Sequence, residues 1–79
     1  MQFKNENELY FTIGKNIKFY REKAQLTQIK LSELSGISIS YLTKIEAPSC
    51  NKSISLALLN NIANALEIDI CDFFRRRDK

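Results

Sequence analysis

The chain has 79 residues, of which 44% are hydrophobic and 27% charged, with a net charge of +3. That is room for one domain, residues 1–79, with a small core, because so short a chain buries only about 60% of its unfolded surface. Long disordered tails, collagen-like repeats and large catalytic folds are excluded, and no apolar run approaches the ~20 residues of a membrane span.

Two cysteines, Cys50 and Cys71, and no histidine argue against a disulfide scaffold, a closed zinc site and the commonest general base. No catalytic residue, metal, cofactor or small-molecule ligand is therefore expected. Met1–Glu8 is polar and lacks an apolar signal region, so a cytoplasmic protein with reduced thiols and no membrane partner is expected. The charge is unevenly spread. Residues 14–53 carry seven cations (Lys15, Lys18, Arg21, Lys23, Lys30, Lys44, Lys52) against Glu22, Glu33 and Glu46. Residues 54–74 carry only Glu67, Asp69 and Asp72, and residues 75–79 are basic again. A basic middle segment is the footprint of a polyanion partner. A mildly basic solvated surface is the other reading.

Helical spacing dominates, and period-two strand patterns are absent. Leu9, Ile13, Ile17, Tyr20 and Ala24 make one stripe, predicting a helix over about 8–24. Thr27 is a good N-cap for a second helix over about 28–35, since its oxygen can accept from an orphan N–H. Gly36 sits where a left-handed residue would end that helix. Ser38 caps a third helix over 39–46. The connection Ser35-Gly36-Ile37-Ser38 has the length of a helix-turn-helix turn, or of an ordinary corner between two helices. Ser55 caps a fourth helix over 56–66, and Asp69 a fifth over 70–76. Leu26 with Leu31, Ile37 with Leu42, Ile54 with Leu59 and Ile68 with Phe73 are hydrophobic staples at the four caps.

Taken together, several segments resemble the Cro and phage-repressor (XRE-type) helix-turn-helix family. They are Ile17-Lys18-x-x-Arg21, Leu26-Thr27-Gln28-x-x-Leu31, and Ser35-Gly36-Ile37-Ser38-x-x-Tyr41-Leu42-Thr43-x-Ile45-Glu46. Ser55-Leu56-x-x-Leu59-x-x-Ile62-Ala63-x-Ala65-Leu66 and Phe73-Phe74 complete the pattern over about 13–74. It departs at Ser32, where the family usually has Ala, at Ala47-Pro48, and in a Glu46–Ser55 connection about two residues longer than usual. The resemblance implies an all-α, five-helix, lambda-repressor-like domain. It further implies a homodimeric transcriptional regulator bound to palindromic double-stranded DNA. Because the chain ends just after this module, no effector domain is expected. A protein–protein adaptor reusing the fold is the alternative.

On helix 3, Leu42 and Ile45 fall inward, while Ile39, Ser40, Thr43 and Lys44 share the outer face, so these four are the candidate base readers. Ile39 can pack on a thymine methyl, or be buried against helix 2 or a partner chain. Lys44 can meet guanine or phosphate, or only solvent. Phosphate contacts are expected from Gln28, as the resemblance implies, and from Thr27 and Ser38 at the helix N-termini. Tyr41, Asn51 and Lys52 complete that set. The resemblance makes Arg21 and Glu46 an ion pair rather than DNA contacts. Ile70, Phe73 and Phe74 offer surplus apolar surface for a dimer interface, or else cap the monomer core. Arg75, Arg76 and Arg77 either extend the last helix or form a disordered tail.

Overall fold

The structure is a computed structural model that describes residues 3–47 and 53–76. Four α-helices, α1 (Glu6–Lys23), α2 (Gln28–Ser35), α3 (Ile39–Glu46) and α4 (Leu56–Leu66), are followed by a 3-10 turn over Ile70–Phe74. There is no strand among the described residues.

A side-chain oxygen sets every start. Thr27 accepts from the Lys30 N–H, Ser38 from Tyr41, Ser55 from Leu58 and Asp69 from Cys71. Asn5 does the same for Glu8, which begins α1 two residues earlier than the apolar stripe predicts. Glu6 and Glu8 in that first turn favour the positive end of the helix dipole.

Three left-handed residues set the stops. Gly36 has φ +80°, and its N–H donates to the Ser32 carbonyl. Gln25 and Glu67 adopt φ +62° and +58° without being glycine. After α1, Leu26 N–H reaches the Arg21 carbonyl and Gln25 N–H the Glu22 carbonyl. After α4, Ile68 and Glu67 pair in the same way with Ala63 and Asn64. These are Schellman closures, which satisfy the orphan carbonyls of a helix end.

The expected fifth α-helix over 70–76 is corrected to a shorter, tighter turn. Asp72 N–H bonds to the Asp69 carbonyl, an i to i+3 closure. The buried Asn16 amide donates to the Phe73 and Arg75 carbonyls at 2.8 and 2.7 Å, taking the acceptors that a further helical turn would need. Arg75 and Arg76 lie beyond the turn and pair with Asp72 and Glu8.

The core gathers Ile13 and Ile17 of α1, Leu31 of α2, Leu42 and Ile45 of α3, and Leu59, Ile62, Ala63 and Leu66 of α4. Ile37 of the turn and Phe73 close it. Phe73 has no exposed surface. Its assignment to a dimer interface is therefore corrected: the ring fills this chain's own core, in keeping with its staple to Ile68. Ile70 and Phe74 are half-buried against that core. The strongly exposed apolar side chains lie elsewhere, led by Leu56, Ile29 and Leu34. At Gly14, α1 crosses so close to the Ile45 carbonyl that an added Cβ would strike it.

Candidate nucleic-acid interface

α3 is short, so its position depends on what holds its two ends. Its N-terminus is fixed by the turn. Ser32 Oγ donates to the Ile37 carbonyl, and Ser35 Oγ donates to the Leu31 carbonyl while accepting from the Ile37 N–H. The serine at position 32 thus braces the turn instead of merely substituting for alanine. The C-terminus is fixed by Glu46. Arg21 Nε and Nη2 donate to its two carboxylate oxygens at 2.8 and 2.9 Å, and Arg21 Nη1 donates to the Leu26 carbonyl at 2.8 Å. Both side chains are nearly buried. The Glu46 hydrogen bonds hold Arg21 above the usual arginine range, against the opposing effect of burial. A planar guanidinium matches a carboxylate in this two-point way and stays charged when desolvated.

Between these fixed ends α3 turns Leu42 and Ile45 into the core and exposes Ile39, Ser40, Thr43 and Lys44. Ile39 is 41% exposed, so it is not consumed by packing against α2. The four form one outward face of two methyl-bearing side chains, two hydroxyls and one ammonium. Such a face can meet a base edge with hydrogen bonds and apolar contact together.

The residues expected at phosphates behave differently from one another. Thr27 and Ser38 each accept a capping N–H, which leaves their hydroxyl protons as donors. Gln28 spends one amide hydrogen on Glu46 Oε1 at 3.0 Å, and its carbonyl accepts from Thr43. The second amide hydrogen remains for an anion. Tyr41 donates its one proton to the Ser53 carbonyl at 2.7 Å, so it braces the α3–α4 connection, and a phosphate contact requires that bond to break. Asn51 and Lys52 lie outside the described residues.

Sequence reasoning missed two features of this region. Lys15 and Lys18 join Phe11, Glu46 and Ala47 around a groove of about 210 Å³ at the end of α3. Their i, i+3 spacing on α1 is visible in the sequence, but their nearness to α3 depends on the close crossing at Gly14. The bond from Gln28 to Glu46 was also unforeseen, and only the alignment of α2 with the end of α3 creates it.

A helix-turn-helix family profile matches residues 17–73, most of the chain. The chain belongs to the helix-turn-helix family, in its Cro and phage-repressor branch. It is 41% identical over 59 residues to the immunity repressor protein of Bacillus phage phi105, a stretch covering 75% of this chain. The chain spans only 40% of that relative's length. Its structure is also similar to the restriction-modification controller protein C.AhdI from Aeromonas hydrophila, with TM-score 0.75 and 28% identity. That similarity covers 82% of this chain and 96% of the controller. Among the described residues no helix is long and apolar enough to cross a membrane.

Proposed function

We propose that this helix-turn-helix protein is a sequence-specific transcriptional regulator of double-stranded DNA. It acts as a homodimer on a palindromic operator, with α3 in the major groove. One observation carries the reading: α3 is clamped at both ends yet leaves Ile39, Ser40, Thr43 and Lys44 uncovered on a single face. Rigidity at the ends and chemical variety on the face are what base readout needs. Thr27, Gln28 and Ser38, at the N-termini of α2 and α3, supply the phosphate contacts that set register. Asn51 and Lys52 belong to the same set by sequence. Ile70 and Phe74, half-buried at the end of the chain, supply the dimer contact, because a palindrome mirrors a two-fold axis in its reader. The relatives' printed roles, immunity repressor and restriction-modification controller, agree with this reading.

Selection from a random-duplex pool at about 150 mM salt tests it, with winners titrated against salt and scrambled duplex. Enrichment of an inverted repeat, its half-sites about one helical turn or a multiple apart, is expected. Binding that falls steeply with salt and shows no sequence preference would reduce the basic surface to a general polyanion site. The adaptor reading would then take its place.

A further inference from the structure

The hydrogen-bond chain behind α3 fixes which way protons point on its outer face. Both Glu46 carboxyl oxygens accept from Arg21 N–H groups, so the Gln28 group facing Oε1 at 3.0 Å must be the amide nitrogen. The Gln28 carbonyl oxygen is thereby turned toward Thr43, whose hydroxyl oxygen lies 3.3 Å away. The same hydroxyl lies 2.8 Å from the Ile39 carbonyl, the back-bond that threonine commonly makes within a helix. Thr43 therefore has two acceptors behind it and, among the described residues, no donor hydrogen-bonded to it. Its single proton goes inward to one of them, and only lone pairs remain for a ligand.

We infer that Gln28 is a positioning residue for readout, and that it and the Ile39 carbonyl make Thr43 an obligate acceptor. Thr43 then reads the exocyclic amino group of adenine or cytosine in the major groove, and not the O6, O4 or N7 acceptors of guanine and thymine. This inference rests on the DNA-binding reading above. It goes beyond it by assigning the base chemistry of one contact, and by giving Gln28 a role in specificity besides any phosphate contact.

Functional-group deletion in the selected operator tests it. Thr43→Val, which keeps the β-branched shape without the hydroxyl, locates the base pair whose preference Thr43 supports. At that pair, purine replaces adenine or pyrimidin-2-one replaces cytosine, each removing only the amino group. A 7-deaza purine removes the N7 acceptor as the control. Amino deletion should cost the wild-type protein about tenfold or more in affinity. It should cost Thr43→Val little, and Thr43→Ser should respond like wild type. Gln28→Ala should lose part of the discrimination at this pair, the Ile39 carbonyl remaining as the one inward acceptor, while its urea midpoint shows a folded protein. Three results overturn the inference. The first is a Thr43→Val variant that pays the wild-type penalty at every position. The second is a wild-type protein that responds at the Thr43 pair only to acceptor deletion. The third is a Gln28→Ala variant that keeps full amino discrimination and simply binds all operators more weakly. If the wild-type protein selects no operator at all, the DNA-binding reading itself fails and takes this inference with it.

Discussion

Gly14 shows how much one residue can constrain this fold. A Cβ there would run into the Ile45 carbonyl, and neither partner is the end of a flexible side chain. Gly14→Ala must push α1 away from α3, and overpacking of this kind costs about 1–3 kcal/mol. Urea denaturation should show the loss as a lower midpoint. Asn16 acts in the opposite sense, by attraction. Its buried amide is the partner of the Phe73 and Arg75 carbonyls, so Asn16→Leu leaves both without that donor, the Phe73 carbonyl in a buried place. The expected cost is about 1–3 kcal/mol for an unsatisfied buried group, together with release of the 3-10 turn. Amide exchange at Phe73 and Phe74 would report that release apart from global unfolding. Neither residue declares itself in the sequence. Gly14 and Asn16 merely lie between the stripe positions Ile13 and Ile17. Their roles come from groups 31 and 57 positions away. The exposed readers are the contrasting case, because α3 periodicity alone separates Ile39, Ser40, Thr43 and Lys44 from Leu42 and Ile45. Lys44→Ala and Ile39→Ala should leave stability nearly unchanged and weaken the selected operator by about 1–3 kcal/mol each if each meets a base. Equal affinity of variant and wild type for that operator would remove the residue from the readout.

Helix boundaries divide into starts, which the sequence announces, and stops, which it mostly hides. A cap is a local bond between a side-chain oxygen and an N–H two or three residues on, so Thr27, Ser38, Ser55 and Asp69 can be found without knowing the fold. Asn5 follows the same rule but lies ahead of the apolar stripe used to place α1. A stop needs a left-handed residue, and glycine is its usual sign. Gln25 and Glu67 take that conformation without the sign, held by Leu26 and Ile68 packed against the core. Gln25→Gly should therefore raise stability by about 1 kcal/mol, the approximate cost of left-handed backbone for an L-residue. The gain should be readable as a higher urea midpoint with an unchanged slope. Between elements, the Arg21–Glu46 pair joins α1 to α3, and Gln28 adds α2. Glu46→Ala leaves a nearly buried guanidinium without its carboxylate and should cost about 3–5 kcal/mol. Replacing the pair together, Arg21→Met with Glu46→Leu, should recover much of that loss, because an apolar pair has no desolvation penalty. Recovery of folding without recovery of operator preference would separate the pair's part in stability from its part in holding Gln28.

At the scale of the whole molecule, the segregation of charge looks different once the two ends are seen together. Read along the sequence, Arg75 and Arg76 belong to a basic tail. In the structure Arg75 pairs with Asp72 at 3.3 Å and Arg76 with Glu8 at 2.9 Å. The Arg76 guanidinium also lies 5.2 Å from the Phe3 ring centre, within cation–π range. Lys4 N–H donates to the other Glu8 oxygen at 2.7 Å. One carboxylate thus fastens the N-terminal approach to α1 onto the segment that follows the 3-10 turn. The Lys4 hydrogen bond holds the Glu8 carboxyl below the ordinary glutamate range; desolvation, next in size, opposes it, and the Arg76 charge and hydrogen bond lower it further by smaller amounts. A carboxyl whose folded-state pKa is depressed binds its proton more readily when unfolded. Its contribution to stability is therefore complete above the unfolded-state value and is lost as pH falls through the lowered folded-state value. Glu8 lies at the surface, so the effect is modest and screened by salt. In acid, then, the ends should part before the core yields. Titration followed by NMR should place the Glu8 midpoint below that of Glu8 in a short peptide, with Phe3 and Arg76 resonances moving in step. Glu8→Gln should abolish that concerted movement and flatten the acid limb of stability against pH. An unchanged acid limb in Glu8→Gln, or a Glu8 midpoint equal to the peptide's, would show that the ends are not held by this carboxylate in solution.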